Sequence, residues 1–360
     1  MTSIGIPKEI KSGEARVGLT PVEVKVLVAQ GHAVRVETEA GTLVGFSDDY
    51  YRDAGAEIAA HAGGVYACDL IAKVKEIQPS EFALLRRGQI LCGFAQVARD
   101  EVLLDALLNA GVSVLAYEAI RDTHGNTPVL APMSRIAGTM SASIAQWCLQ
   151  AAQGGRGVLL GPEVRIVVVG AGVSGLAAAE TFYRLGCAVS VVARDEHRAR
   201  TLLKRLPKGV SCVGMASLPS LLAQCEVLVG AVSVPGALSP TLISRAMIGA
   251  MPKGAVFIDI GIDMGGISET SRQTTWSAPI YLDQGVVHFC VANIPAQLPQ
   301  AATAALAAAA LPFVQAVAER GVLAAARLDA GLAGAVQVFA GAVTSASVAR
   351  DTGRSYQQLL

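Results

Sequence analysis

The chain has 360 residues, 52% hydrophobic and 16% charged, which is enough to bury a large core and to form two domains. Its 29 basic and 29 acidic residues cancel to a formal net charge of +0, so nucleic acid and an anionic membrane surface find no electrostatic footprint. Seven cysteines, odd in number and without CxxC spacing, argue against a disulfide frame or a metal site; the first residues lack the pattern of a signal peptide, so none is expected and the expected setting is cytoplasmic.

In chain order, short apolar runs at 4–6, 33–36, 70–74, 90–94 and 112–116 read as strands, and 21–30 and 101–110 as helices between them. This alternation is the pattern of a parallel sheet covered by helices. Gly125 to Pro128 interrupts it, and from Ala131 to Gln153 the periodicity is helical. The strand pattern then resumes at 166–169, 188–192, 227–232, 255–260 and 287–291. The expected fold class is α/β: two Rossmann-like, doubly wound parallel-sheet domains. A substrate domain would take 1–130 plus 300–360, and a dinucleotide-binding domain 131–299. The first would be discontinuous, because the helical stretch 301–327 lies beyond the last strand. The apolar run Ala301 to Val317 contains Pro312 and reads as too short to span a bilayer, so a buried or oligomer-facing helix is expected.

The most informative segment is Ile166-Val167-Val168-Val169 running into Gly170-Ala171-Gly172-Val173-Ser174-Gly175 and an Ala-rich helix. The first glycine permits the turn, the second lets backbone approach a pyrophosphate, and the third lets helix pack on strand. The helix N-terminus offers N–H groups and a positive dipole end to phosphate. After the next strand stand Ala193 and Arg194, with Arg198 one helical turn on, where an NAD site usually places an acid for the ribose 2′-OH. A 2′-phosphate wants the carboxylate gone and a guanidinium near, so NADP(H) is favoured over NAD(H). The alternative is that Asp195 or Glu196 bends back to the ribose while Arg194 is merely solvated.

Ligands of open α/β sheets sit beyond the carboxyl ends of strands. Lys75 and Gln96 lie just past the strands at 70–74 and 90–94, Asp263 follows 255–260, and Arg16 sits in the N-terminal loop. A guanidinium and an ammonium on one cleft would suit a small carboxylate, the arginine binding it bidentately. Singly, each has an ordinary reading: a solvated loop charge, or an aspartate capping the next helix. The five histidines look ordinary by position, His288 as a core residue of its strand.

Several blocks carry a resemblance to a known family. They are Ile6-Pro7-Lys8-Glu9-Ile10-Lys11, Glu14-Ala15-Arg16-Val17-Gly18-Leu19-Thr20-Pro21, Gly45-Phe46-Ser47-Asp48, Lys73-Val74-Lys75-Glu76, Ala131-Pro132-Met133-Ser134 and Ala137-Gly138. Further along come Gly155-Arg156-Gly157-Val158-Leu159-Leu160-Gly161, Pro235-Gly236-Ala237 and Gly285-Val286-Val287-His288-Phe289-Cys290-Val291-Ala292-Asn293-Ile294-Pro295. The chain resembles the alanine dehydrogenase family, which also includes the NAD-binding domain of proton-translocating transhydrogenases. The resemblance implies two Rossmann-like domains, the first completed by the C-terminal segment, and a dimer or hexamer. It implies that Arg16 binds a substrate carboxylate, Lys75 contacts substrate and Asp263 handles protons. Ser134, Gly170, Gly172, Gly175 and Asn293 fall on cofactor-side positions.

Three departures stand out. The family's catalytic histidine falls on Gln96, which can hydrogen-bond but not transfer a proton; Ala193-Arg194 replaces the NAD-selecting acid; and Gln300-Ala301-Ala302 replaces a more polar segment. A lost general acid typically costs ~10²–10⁴-fold in rate. The leading expectation is therefore an NADPH-dependent reductase acting on a 2-oxo acid or its imine in a specialised pathway, since a protonated imine is already electrophilic. An ordinary L-alanine dehydrogenase is the alternative within the enzyme class, and a non-catalytic NADPH-binding sensor or partner protein the alternative outside it.

Overall fold

The computed structural model describes residues 1–204, 206–232 and 239–360, and the block Pro235-Gly236-Ala237 lies outside them. The chain divides into two compact units, Met1–Met133 with Ala296–Leu360, and Ser134–Pro295. The first unit contains β1 (Ser3–Ile6), β2 (Ala33–Glu37), β3 (Glu57–Ala59), β4 (Leu70–Ala72), β5 (Ile90–Gly93) and β6 (Ser113–Ala116). The second contains β7 (Arg165–Val169), β8 (Ala188–Ala193), β9 (Ser211–Gly214), β10 (Val227–Gly230), β11 (Val256–Asp259), β12 (Ile280–Asp283) and β13 (Val286–Phe289). The chain then returns to the first unit with β14 (Val336–Phe339) and β15 (Ala342–Val343).

Among the described residues the first sheet has eight strands in the order β15-β14-β6-β5-β4-β1-β2-β3. Its pairs from β3 to β6 are parallel, whereas β14 closes on β6 antiparallel. The second sheet has seven strands in the order β12-β13-β11-β10-β7-β8-β9, parallel except for the edge strand β12. Both are doubly wound α/β sheets. In each, the strand order reverses beside the first strand, between β1 and β4 and between β7 and β10, and such a switch point opens a crevice at the strands' carboxyl ends. The central strands are buried on both faces, as their unbroken Val/Ile/Leu runs require.

Local chemistry sets the helix bounds. Pro21–Ala29 starts with a capping box of Thr20 and Glu23 and has proline in its first turn. Glu101–Ala110 is capped by Asp100, which accepts the Leu103 N–H, and stops at Gly111 in the left-handed region, φ 69°. The strand read over 70–74 ends at Ala72, yet pairing continues through Lys73 N–H to Cys92 O (2.9 Å) and Phe94 N–H to Val74 O (3.0 Å). The helical stretch read as 301–327 is broken at Gly321, φ 74°, into Pro299–Arg320 and Val322–Leu328. The first piece has 22 residues and is long and apolar enough to cross a bilayer, which corrects the argument from length. Its Ala302, Leu306, Ala307, Ala310, Val314 and Val317 are buried, which is how a core helix also passes that test.

Candidate active site

At the switch point of the first sheet, the loops after β1 and β4 carry Arg16 and Lys75. Arg16 is buried beside a buried Glu14. Its Nε donates to Glu14 Oε1 (2.6 Å) and its Nη2 to Glu14 Oε2 (2.6 Å), while Nη1 donates to Met133 Sδ (3.1 Å). One edge of the guanidinium fork is thus held by an internal carboxylate, which takes the Nε and Nη2 donors out of the bidentate grip expected for a substrate carboxylate. The pair fixes the arginine plane without leaving a buried charge uncompensated.

Lys75 is buried just past β4, and its backbone N–H donates to Glu9 Oε1 (3.2 Å), which also accepts the Val74 N–H (2.6 Å). Lys73 is buried too, with its ammonium on Glu81 (2.5 Å) and 3.7 Å from Glu9 Oε2. Burial pushes the Glu9 carboxyl up to about 7, against the Lys73 charge and the two N–H bonds.

Gln96 is half-buried past β5 and has φ +46°, a backbone conformation uncommon outside glycine. Its N–H donates to Glu118 Oε1 (2.8 Å), and the Ala95 N–H to Glu118 Oε2 (3.2 Å). Burial raises the Glu118 carboxyl, opposed by these bonds and by the positive charge of Lys75. Arg16, Lys75 and Gln96 all belong to the first unit. Glu9, Glu14 and Glu118 were missed as site residues, because a lone Glu in a sequence reads as surface.

In the second unit, β7 runs into Gly170, φ +106°, whose added Cβ would lie 2.5 Å from Ala231 O. An added Cβ at Gly175 would lie 1.9 Å from Gly170 O, so the helix Val173–Arg184 packs on the turn only with glycine there. At Gly172, the N-cap, a Cβ would meet nothing within 4 Å, and no side chain caps the helix. Backbone N–H groups of Val173, Ser174 and Gly175 at this end, with space at Gly172, fit a dinucleotide pyrophosphate. We expect Gly172→Ala to change folding stability by less than about 0.5 kcal/mol while weakening binding of the reduced dinucleotide tenfold or more, ~1.4 kcal/mol. Fluorescence titration beside thermal unfolding checks this, and unchanged affinity would remove Gly172 from the site.

Past β8, Ala193 is buried and the Arg194 side chain is 89% exposed. Asp195 caps the helix Glu196–Leu203 by accepting the Arg198 N–H (2.8 Å), and it also faces Arg194 Nε (3.3 Å). Those partners, the Arg198 N–H first, hold its carboxyl below the usual range. Glu196 Oε1 accepts the Gly214 N–H (2.7 Å). Both acids that could have bent back to a ribose are therefore engaged elsewhere.

Asp263 is exposed on the turn Ile260–Met264, past β11. Its Oδ2 accepts the N–H of Asn293 (3.2 Å), which, like Gln96, is left-handed, φ +55°. The turn is anchored by buried Asp259, whose Oδ1 accepts Gly261 N–H (3.1 Å) and whose Oδ2 accepts Ile267 N–H (2.9 Å) and Ser271 Oγ–H (2.6 Å). Ser134 lies in the first turn of the helix Ala131–Cys148, which packs so closely on the next helix that a Cβ on Gly138 would lie 2.1 Å from Ser134's fellow unit member Ser174, at its O. His288 is fully buried, with Nδ1 against Val286 O (3.0 Å) and Nε2 against Thr270 Oγ1 (2.8 Å), a satisfied core histidine.

Comparison with known proteins finds matches in both halves of the chain. Residues 5–137 match the family description "Alanine dehydrogenase/PNT, N-terminal domain", and residues 141–346 its "C-terminal domain". The chain is 40% identical to the alanine dehydrogenase of Halomonas elongata, over 98% of this chain and 97% of that one. It is 37% identical to that of Bacillus subtilis, over 98% and 95%. A solved L-alanine dehydrogenase superposes with a TM-score of 0.92 at 35% identity, covering 98% of this chain and 99% of that one. With both domain descriptions matched and relatives aligned almost end to end, the chain belongs to the alanine dehydrogenase/PNT family and is an NAD(P)-dependent oxidoreductase.

Proposed function

We propose that this enzyme interconverts a small 2-amino acid with its 2-oxo acid and ammonia, L-alanine and pyruvate being the first pair to try. The observation that carries the reading is the near-complete alignment with alanine dehydrogenases. When bound, the dinucleotide accepts or supplies the hydride. Arg16 and Lys75 bind the substrate carboxylate; Nη1 of Arg16, now on the Met133 sulfur, is the donor it would compete for. Gln96 orients the reacting carbonyl or amine by hydrogen bonds, and Asp263 takes or returns the proton as nitrogen enters or leaves. Ser134, Asn293 and the Gly170–Gly175 turn hold the dinucleotide.

Two further points belong to the proposal. The cofactor preferred is NADP(H), because Ala193 leaves no acid for a 2′-OH, Asp195 and Glu196 are engaged, and Arg194 and Arg198 stand near. Ala193→Asp is expected to shift the NADPH/NADH ratio of kcat/KM toward NADH by tenfold or more, ~1.4 kcal/mol. An unmoved ratio would sink the NADP assignment. The second point is a reading favoured by Gln96: reduction of a preformed imine beside a carboxylate, which needs no protonating histidine.

One experiment separates these readings. Initial rates of NADPH and NADH oxidation are measured with pyruvate plus ammonium, and in parallel with a preformed cyclic imino acid. Turnover of pyruvate upholds the amino-acid dehydrogenase. Turnover of the imine alone upholds the second reading. Tight NADPH binding without turnover of either would leave a sensor or partner protein and overturn both.

A further inference from the structure

Two carboxylates of the first unit, buried Glu9 and half-buried Glu118, are used in the same unusual way. Each accepts hydrogen bonds from two consecutive backbone N–H groups immediately past a strand end. Glu9 holds Val74 and Lys75 past β4, and Glu118 holds Ala95 and Gln96 past β5. The strands β4 and β5 are parallel neighbours, with Ala72 opposite Cys92. The peptides gripped are therefore side by side, and they are the ones that carry Lys75 and Gln96.

Backbone N–H groups beyond a strand end have lost their ladder partners, and buried ones need others. A backbone carbonyl or water could serve. A carboxylate makes stronger bonds, and each one here fixes two peptide planes at once. At Gln96 this matters most, because its left-handed backbone costs free energy that the surroundings must offset. Released, residue 96 would relax toward ordinary α or β angles and its side chain would swing away.

We propose that Glu9 and Glu118 are positioning residues of the active site, holding the backbone so that Lys75 and Gln96 meet the substrate in fixed orientation. The proposal rests on the function proposed above for what Lys75 and Gln96 do. Neither glutamate is assigned contact with the substrate.

The two clamps differ in a way that makes the idea testable. Glu9 makes both bonds with one oxygen, Oε1, while its buried Oε2 has no hydrogen-bond partner. Glutamine at 9 can keep both bonds through its carbonyl. Glu118 spends one oxygen on each N–H, so glutamine at 118 can keep one bond and must point an NH₂ at the other donor.

The variants E9A, E9Q, E118A and E118Q are compared by kcat, KM and melting temperature on whichever of pyruvate or imine the wild type turns over. Amide exchange over 70–76 and 90–97 is followed by mass spectrometry in the same proteins without substrate. Expected for E118Q is a kcat loss of tenfold or more with KM little changed, and faster exchange over 90–97. Expected at position 9 is rescue: E9Q recovers most of what E9A loses in kcat and in protection over 70–76. A kcat for E118Q equal to wild type with unchanged exchange overturns the proposal, as does E9Q falling as far as E9A. If E118Q does not fold, the position 9 pair decides. A wild type with no turnover of either substrate counts against the proposed function, while the exchange comparison still judges the clamps.

Discussion

Gln96→His is expected to raise kcat for pyruvate with ammonium by about 10²-fold or more, within the ~10²–10⁴ that a positioned general acid or base contributes. A glutamine amide can donate or accept a hydrogen bond but holds no transferable proton near neutral pH, whereas imidazole titrates at about 6.5. The site is already shaped for the change. Residue 96 sits at φ +46°, a region in which histidine is better tolerated than most side chains, and its N–H is held by Glu118 rather than by its own side chain. A new limb near the histidine pKa should appear in the pH profile of kcat. Measured rates that stay flat, with no such limb, would mean that residue 96 is not where the proton is exchanged.

The second large effect is expected at Arg16, in stability as well as activity. Arg16→Ala removes both charged donors from Glu14, a side chain with no exposed surface, and breaking such a pair typically costs about 3–5 kcal/mol. The Glu14 carboxylate keeps the backbone N–H of residue 16 (3.1 Å) but loses the Arg16 charge in a place with no exposed surface. Denaturant unfolding measures this loss directly. Replacing both partners by apolar residues of similar bulk, Glu14→Leu with Arg16→Met, should restore much of the stability, yet leave turnover abolished. Activity surviving in that double variant would remove Arg16 from substrate binding.

The parts of the fold legible in the sequence were those written locally. The glycine turn after β7 announces itself because three glycines, a β-branched strand and an Ala-rich helix each answer a separate steric demand. The strands β1, β5, β6, β10, β11 and β13 were legible because burial on both faces demands continuous apolar runs, and β2 and β8 by the buried valines that alternate with less buried Ala33, Arg35, Ala188 and Ser190. Strands at or beside the sheet edges were not: β3 is three residues long, β9 and β12 are half exposed, and β14, between β15 and β6, gains the latter partner only from a distant part of the chain. The residues proposed for chemistry were found by strand-end logic and by resemblance. The carboxylates that hold them were not, because Glu9, Glu14 and Glu118 acquire meaning only when folding brings N–H groups or a guanidinium to them. Glu9 and Glu14 at least stood inside recognisable blocks; Glu118 had no signal at all.

The antiparallel closure of β14 on β6, with Leu115 opposite Val336, has a consequence for biosynthesis. A nascent chain makes β6 early and must extend through the whole of Ser134–Pro295 before β14 exists. Until then β6 presents an open, apolar strand edge, while the intervening unit already has everything it needs to complete itself on or near the ribosome. The first-made part of this enzyme is thus the last to be finished. Chains stalled or truncated before residue 336 should be the ones that chaperones retain and that aggregate edge to edge.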